Sequence, residues 1–327
     1  MSRPVTINRT QKWCLKNRMS APTTTATSAS AYSTTAACLP TASFYFVRRS
    51  GARRRTVSRL LCVLNLAGVR EVTLNGTALV RVPSSKLAGG IVTHMSRTAV
   101  DVALARAQHG AYGDALAAGG WVIRQVPAAE DCPDSVFVED TVVVCEDLAV
   151  LAHPGASARR AEVAGVAGMV RSLGLRTARI QEPGTLDGGD VLQAGHTVYV
   201  GRGGRTNGAG VRQLRALLAP LGRTVIAVPL GNVLHLKSAV TALPDGTFLL
   251  LPRLVPAGLF PAFRPVAEEG GCHVVPLGGD QVLIAASAPR TAEFLDDLGF
   301  APVVVDISEF EKLEGCVTCL SVLLPGR

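Results

Sequence analysis

Residues 136–154, VFVEDTVVVCEDLAVLAHP, carry the clearest indication of the fold. Two runs of β-branched and aliphatic residues, each long enough for a short strand, are separated by a turn. The stretch from Ala158 to Leu173 that follows predicts a helix. Two strands and a helix in this order predict an α/β architecture.

The same arrangement recurs roughly every 40–50 residues, a period typical of propellers and solenoids. Further copies are GGDVLQAG and HTVYVGR with Gly208 to Leu221, HLKSAVTALPDGTFLLLP with Gly258 to Glu269, and GDQVLIAAS with Ala292 to Leu298. The final CLSVLLP is expected to pair with the early TALVRVP and so complete a fifth unit. The alternation of strands and helices alone fits a doubly wound sheet equally well.

The N-terminal part of the chain differs in composition from the rest. Residues 20–43 are rich in Ser, Thr and Ala, and such a segment has too little apolar surface to offset the entropy lost on ordering. We therefore predict a basic, low-complexity, disordered extension over residues 1–70. Residues 71–327 are predicted to form a single α/β domain.

The net charge of +8 belongs to this extension. Residues 1–76 hold twelve Lys or Arg and one Glu, whereas residues 77–327 hold 21 Lys or Arg and 24 Asp or Glu. A basic nucleic-acid-binding surface on the main domain is therefore not expected. The arginine cluster of the extension also lacks the interleaved aromatic residues that would stack on bases.

The cysteine content and the hydropathy bear on localisation. Eight cysteines in 327 residues are too sparse for a disulfide-stapled secreted module. No apolar run approaches the ~20 residues that cross a bilayer. We expect a cytoplasmic protein without a nucleic-acid or membrane partner.

Three residues in distinctive strings are candidates for catalysis: Asp187 in LDGGDVL, His235 in LHLKS and Cys319 in EGCVTCLSVL. They match a thiol nucleophile, its acid/base and the carboxylate that orients it. Taken singly, each has a simpler interpretation. Asp-Gly is a hairpin signal, a lone histidine beside a strand is more often structural, and Cys316 with Cys319 forms a CxxC found in redox pairs and zinc sites. No second Cys/His pair accompanies the CxxC, so we predict no metal site and treat Cys316 as incidental.

Carboxylates and arginines complete the candidate site. Asp134, Glu139 and Asp140 lie in PDSVFVEDTVVV, which is otherwise strand-like. On a strand, Glu139 and Asp140 would face opposite sides. They are either solvated acids at a strand end or ligands of a planar cation such as guanidinium. Arg159 and Arg205 lie in loops of neighbouring units and are either surface residues or a fork for a substrate carboxylate.

Together, PDSVFVEDTVVV, HPGASARR, LDGGDVL, GRGGRTN, LHLKS and EGCVTCLSVL resemble the motifs of the dimethylarginine dimethylaminohydrolases, members of the guanidine-modifying (pentein) superfamily. The resemblance runs from Thr77 to the C-terminus. It implies a five-bladed α/β propeller of ββαβ units with the active site in its central channel. It also implies a hydrolase of linear amidines that converts asymmetric dimethylarginine and monomethylarginine to citrulline and dimethylamine or methylamine, without a cofactor.

The resemblance further implies roles for ten residues. Cys319 would be the nucleophile, His235 the general acid and then base, and Asp187 the residue that positions His235. The implied substrate contacts are Asp134, Glu139 and Asp140 for the guanidinium, Arg159 and Arg205 for the carboxylate, and Val92 and Leu313 through their backbone.

Other members of the superfamily provide the alternatives. Arginine deiminases and amidinotransferases typically carry HxD where this chain has Lys237, which predicts a preference for methylated arginines. Non-catalytic pentein binding proteins are expected to lack the nucleophile and the histidine, and both are present here. The expected partner is a small-molecule substrate. The sequence does not fix the oligomeric state, and a homodimer is an open expectation.

Overall fold

The computed structural model describes residues 74–326, so the extension predicted over residues 1–70 lies outside the described residues. The described part contains fifteen strands and five α-helices. The strands are β1 Gly76–Val80, β2 Trp121–Gln125, β3 Val142–Cys145, β4 Leu148–Leu151, β5 Arg176–Arg179, β6 Val191–Ala194, β7 Thr197–Arg202, β8 Thr224–Pro229, β9 Val240–Ala242, β10 Phe248–Leu250, β11 Phe263–Pro265, β12 Val274–Gly278, β13 Gln281–Ala285, β14 Ala301–Val305 and β15 Val322–Pro325. The α-helices are α1 Val102–Ala118, α2 Val163–Ser172, α3 Gly208–Leu218, α4 Pro289–Asp297 and α5 Ser308–Glu311. None of the helices within this range is long and apolar enough to cross a membrane.

The strands form five three-stranded sheets, with the orders β15-β1-β2, β3-β4-β5, β6-β7-β8, β9-β10-β11 and β12-β13-β14. In every sheet the first two strands are antiparallel, and the third is parallel to the second. This is the strand arrangement of the predicted ββαβ unit, and an α-helix connects the second and third strands in four of the five sheets. The C-terminal strand also pairs with the first, with Thr77 opposite Leu324, as expected.

Five separate hydrophobic clusters lie between neighbouring sheets. Side chains alternate between the two faces of each strand, so Ala78 and Val80 join one cluster while Leu79 joins the next. One cluster joins the β12-β13-β14 sheet to the β15-β1-β2 sheet, which closes the ring. The structure is therefore the predicted five-bladed α/β propeller. The first two strands of each sheet are largely buried on both faces and are rich in apolar residues, whereas the third strand is more exposed, as in RTAR of β5.

Two local predictions are wrong. The helix predicted from Gly258 to Glu269 does not form, and a 3-10 turn at Ala257–Leu259 and strand β11 take its place. Pro261 and Pro265 interrupt this stretch, and proline lacks the N–H that a helix interior needs.

The second difference concerns the segments that precede the innermost strands. Glu139 and Asp140 lie on a 3-10 turn rather than on a strand. Each innermost strand is preceded by such a turn; the five turns are Val138–Thr141, Gly188–Asp190, Leu236–Ser238, Glu269–Cys272 and Val317–Leu320. Those at Val317–Leu320, Val138–Thr141, Gly188–Asp190 and Leu236–Ser238 contact one another in that order. They bring polar residues from distant parts of the sequence to one end of the ring.

Candidate active site

A small cavity of about 20 Å³ lies where these turns meet. Its lining residues are Ile91, Asp134, Phe137, Asp140, Arg159, Arg205, Leu234, His235, Leu313, Glu314, Gly315 and Cys319. Seven of the ten predicted site residues are therefore together, whereas Asp187, Glu139 and Val92 do not line this cavity. A cavity of this size holds about one water molecule, so a methylated arginine needs the lining segments to move apart.

His235 and Asp187 form a buried pair. Nε2 of His235 lies 3.0 Å from Oδ2 of Asp187, behind the cavity. The other Asp187 oxygen accepts a hydrogen bond from the Gly155 amide at 2.9 Å, and Thr206 receives one from the Asp187 amide. Asp187 is thus fixed on both sides and can orient the imidazole ring.

The surroundings of His235 favour its protonated form. Burial lowers the pKa of His235, but the negative charge of Asp140 and the hydrogen bond to Asp187 outweigh burial and raise this pKa to about 10. At neutral pH the ring is an imidazolium, which suits a group that first gives a proton away.

The Gly-Gly of LDGGDVL permits close contact between turns and does not form a hairpin. A Cβ on Gly188 would lie 2.0 Å from the Glu139 carbonyl oxygen. A Cβ on Gly189 would lie 2.7 Å from Oδ1 of Asp140 and 2.8 Å from Nδ1 of His235. The Gly189 amide instead donates a hydrogen bond to Asp140 at 2.8 Å. Asp190 supports the next turn, because its Oδ1 accepts from the Leu236 amide at 2.9 Å.

The three guanidinium-binding candidates have different environments. Asp140 pairs with Arg159 at 2.5 Å. Burial raises the pKa of Asp140, but the charges of His235 and Arg159 outweigh burial and hold this pKa at about 2. Asp134 accepts hydrogen bonds from the Ile91 amide, and burial raises its pKa. Both carboxylates face the cavity.

Glu139 faces a separate cavity of about 230 Å³. Its carboxylate accepts hydrogen bonds from Lys237 at 2.5 Å and from Thr318 at 3.0 Å. Burial raises the pKa of Glu139 to about 7 against the opposing charge of Lys237. Glu139 and Asp140 therefore do have separate surroundings, although a turn and not a strand separates them.

The two arginines also differ. Arg159 is buried, and all three of its side-chain nitrogens contact protein oxygens of Asp140, Glu162, Asp134 and Phe137. These contacts favour a role for Arg159 as the counter-ion of Asp140 and Glu162. Its predicted contact with the substrate carboxylate would be an additional role. Arg205 is half-buried and donates one hydrogen bond, to Thr93 Oγ1 at 3.1 Å. Its guanidinium is better placed to receive a ligand.

The segment around Val92 covers the cavity. Ile91 lines the cavity, whereas its neighbour Val92 packs against the adjacent core cluster. The Glu314 carboxylate accepts hydrogen bonds from the Thr93 and His94 amides, each at 2.6 Å. The sequence did not indicate Ile91 or Glu314, because contacts to backbone atoms leave no residue pattern. Leu313 lines the cavity as predicted.

Cys319 lies on the last 3-10 turn, next to Cys316. Its Sγ atom is 3.2 Å from Sγ of Cys316, and both cysteines are free thiols. The hydrogen bond between them, together with burial, raises the pKa of Cys319. Gly315 lets this turn approach the ring of Phe137, from which a Cβ would be 2.4 Å away. The free protein therefore carries a neutral thiol at this position.

Within residues 74–326, one group of side chains that could together bind a metal ion lies at the site. Atoms of Asp140, Asp187 and His235 lie within 4.8 Å of one another. Arg159 and protonated His235 already supply positive charge to these carboxylates. A metal ion would have to compete with both, so the arrangement fits an organic cation near Asp134 and Asp140 better.

Comparison with known proteins agrees with the fold. No family model matches the chain. The chain is 62% identical over 248 residues to the N(G),N(G)-dimethylarginine dimethylaminohydrolase of Streptomyces coelicolor, an alignment that covers 76% of this chain and 96% of the relative. A dimethylarginine dimethylaminohydrolase variant solved as an adduct with S-methyl-L-thiocitrulline superposes with a TM-score of 0.72 at 32% identity, over 76% of this chain and 99% of the other. The Pseudomonas aeruginosa enzyme, solved as a cysteine-to-serine variant with citrulline, gives a TM-score of 0.70 at 32% identity, over the same shares of the two chains.

Five three-stranded sheets in a ring, with a cavity lined by a cysteine, a histidine and two aspartates, define a guanidine-modifying protein of the pentein superfamily. Within that superfamily, the chain belongs to the dimethylarginine dimethylaminohydrolase family.

Proposed function

We propose that this protein hydrolyses asymmetric dimethylarginine and monomethylarginine to citrulline and dimethylamine or methylamine. The observation that carries the proposal is the buried His235–Asp187 pair at a cavity that also holds Cys319, Asp134 and Asp140. Family membership supports the same reaction. The expected ligand is a small molecule.

The two cavity carboxylates hold the substrate guanidinium. A guanidinium is planar and resonance-stabilised, and it is a poor electrophile until it is held in a fixed orientation. Charge-assisted hydrogen bonds from the guanidinium N–H groups to the carboxylates of Asp134 and Asp140 supply that orientation and turn the central carbon towards Cys319. Glu139 lies in the neighbouring cavity, where Lys237 offsets its charge and Thr318 also binds its carboxylate.

The substrate cation generates the nucleophile. A positive charge next to Cys319 lowers the pKa of its thiol, so the proton leaves to solvent when the substrate binds. The thiolate attacks the guanidinium carbon and gives a tetrahedral adduct. His235 passes its proton to the departing amine nitrogen, the carbon–nitrogen bond breaks, and a covalent thiouronium remains.

The second half of the reaction uses the same histidine as a base. His235, now neutral, takes a proton from water while the water oxygen attacks the thiouronium carbon. The carbon–sulfur bond then breaks, which releases citrulline and restores Cys319. Asp187 keeps the imidazole ring oriented through both proton transfers.

The free enzyme should react slowly with neutral alkylating agents. A thiol with a raised pKa is protonated at neutral pH, and only the thiolate reacts. We expect the rate of Cys319 alkylation by iodoacetamide to rise about tenfold per pH unit from pH 7 to 9, without a plateau. The alkylation rate of the Cys319→Ala variant is subtracted, which removes the contribution of the other cysteines. A plateau at or below pH 7 would show that a thiolate exists before substrate binds.

Arg205 is proposed to bind the substrate carboxylate, with Arg159 behind it. We expect Arg205→Ala to raise KM about 10- to 100-fold with little change in kcat, because one charge-assisted hydrogen bond contributes about 1.5–3 kcal/mol. The matched control is Thr93→Ala, which removes only the contact between Arg205 and the covering segment. An equal rise in KM in Thr93→Ala would assign Arg205 to holding that segment.

Lys237 predicts the choice of substrate. Lys237 occupies the position at which deiminases have a carboxylate, and its charge neutralises Glu139. The site therefore binds an unsubstituted guanidinium less strongly. We expect kcat/KM for asymmetric dimethylarginine and monomethylarginine to exceed that for arginine by about tenfold or more. The three substrates are compared by citrulline release from the purified protein. Equal or faster turnover of arginine would identify a deiminase, and binding without turnover would identify a non-catalytic member of the superfamily.

A cytoplasmic location, a homodimeric state and a dispensable N-terminal extension remain predictions. Cell fractionation tests the location, and light scattering tests the homodimeric state. The activity of a chain without residues 1–70 tests whether the extension is dispensable.

A further inference from the structure

The proposed reaction leaves one chemical feature of the site unexplained. Sγ of Cys316 lies 3.2 Å from Sγ of Cys319, and both side chains are buried. A disulfide bond is about 2.05 Å long, so the two sulfurs need to approach by only about 1.2 Å. Among the described cysteines, this is the one sulfur–sulfur contact.

The local backbone favours the contact. The Cys319 amide donates a hydrogen bond to the Cys316 carbonyl at 3.1 Å, at the start of the 3-10 turn Val317–Leu320. Cys316 caps this turn with an extended backbone, and the hydrogen bond closes a turn of three residues that brings Cys319 back beside it. The CxxC spacing and the turn therefore keep the two thiols facing each other.

The two thiols differ in access and in charge. Cys319 lines the active-site cavity, and Cys316 does not. The hydrogen bond from the Cys319 thiol holds the pKa of Cys316 well below its usual range, and the charge of His273 adds to this effect against burial. A small oxidant thus reaches Cys319 first, while Cys316 is the better nucleophile towards a neighbouring sulfur.

We propose that Cys316 and Cys319 form a reversible disulfide when the protein meets hydrogen peroxide. Cys319 passes its proton to Cys316 across the hydrogen bond that joins them, and the Cys319 thiolate attacks one peroxide oxygen. The oxygen–oxygen bond breaks, the departing hydroxide takes that proton from Cys316, and the Cys319 sulfenic acid and water form. Cys316 then attacks the Cys319 sulfur, the sulfur–oxygen bond breaks, and a second water leaves. Two thiols and one hydrogen peroxide give one disulfide and two waters.

The disulfide has two consequences. It removes the nucleophile, and it prevents further oxidation of Cys319 to the sulfinic acid, which thiols do not reverse. The effect on activity rests on the proposed role of Cys319 as nucleophile. The alternative is that Cys316 only fills space in the core cluster to which it belongs.

The test compares the full-length protein with Cys316→Ser and Cys316→Ala after treatment with hydrogen peroxide. Trypsin cleaves after Lys312, so one peptide, residues 313–327, carries both cysteines and reports their oxidation by mass. Activity is measured before treatment, after treatment and after dithiothreitol, each relative to the untreated sample of the same variant. Cys145→Ala, which changes a buried cysteine outside the cavity, is the matched control.

In the wild type and in Cys145→Ala, we expect this peptide to lose two hydrogens. Activity should fall at least about tenfold and return with dithiothreitol. In the Cys316 variants the peptide should gain oxygen instead, and less than about a tenth of the lost activity should return. Gain of oxygen by the wild-type peptide, or full recovery of a Cys316 variant, would overturn the proposal. The mass measurement decides on the disulfide even if the protein does not hydrolyse methylated arginines.

Discussion

The Cys319→Ala variant is expected to lose citrulline formation from asymmetric dimethylarginine by at least about 10⁴-fold. Cys319 is the one cysteine among the residues that line the active-site cavity. Without its sulfur no thiouronium forms, and water alone must attack a resonance-stabilised cation. His235, Asp134 and Asp140 remain in the variant, so binding of the substrate should change far less than its turnover.

The control is a cysteine of the same burial elsewhere in the fold. Cys145 ends strand β3 and is buried, but it does not line the cavity. We expect Cys145→Ala to stay within about threefold of the wild-type kcat/KM. Binding of asymmetric dimethylarginine to Cys319→Ala is measured by calorimetry. Residual turnover above about one per cent of the wild-type value would show that another group attacks the substrate.

The His235→Gly variant is expected to separate the two halves of the reaction. With asymmetric dimethylarginine it should lose about 10²- to 10⁴-fold in kcat, because the departing amine must be protonated. With S-methyl-L-thiocitrulline the leaving group is a thiolate, which leaves without an acid. The first half should therefore proceed, and the covalent adduct should accumulate because no base activates water for the second half.

Intact-protein mass spectrometry detects the adduct. The amount of methanethiol released measures how much adduct has formed. His196→Gly, which changes an exposed histidine, is the matched control and should turn over without accumulating adduct. If His235→Gly formed no adduct with S-methyl-L-thiocitrulline, His235 would be needed to generate the nucleophile itself. If His235→Gly hydrolysed asymmetric dimethylarginine at the wild-type rate, His235 would have no role in the mechanism.

The sequence predicted the repeating unit well. Apolar runs followed by helical stretches gave the order strand, strand, helix, and the resemblance of the motifs supplied the ββαβ propeller. The predicted pairing of the first and last strands is confirmed, and it is antiparallel. The helix predicted from Gly258 was wrong because the spacing of the repeat was given more weight than its prolines. Proline removes a backbone donor, and this local effect prevailed over the pattern of the other units.

The 3-10 turns that carry the site residues were not predicted, because each precedes a short apolar run that indicates a strand. Glu139 and Asp140 precede a valine run and were assigned to a strand, but their carboxylates accept hydrogen bonds from distant parts of the chain. Glu139 is bound by Lys237, and Asp140 by the Gly189 amide. Such long-range contacts draw a short segment out of the strand conformation, and a reading of local periodicity does not include them. The resemblance of the motifs therefore supplied the site residues that periodicity could not.

The most direct measurement is the stoichiometry of products from asymmetric dimethylarginine, with the purified full-length protein beside Cys319→Ala. We predict citrulline and dimethylamine in equal amounts from the wild type and neither from the variant. Ammonia in place of dimethylamine, or products from both proteins alike, would contradict the assignment of this site as a cysteine-dependent dimethylarginine hydrolase.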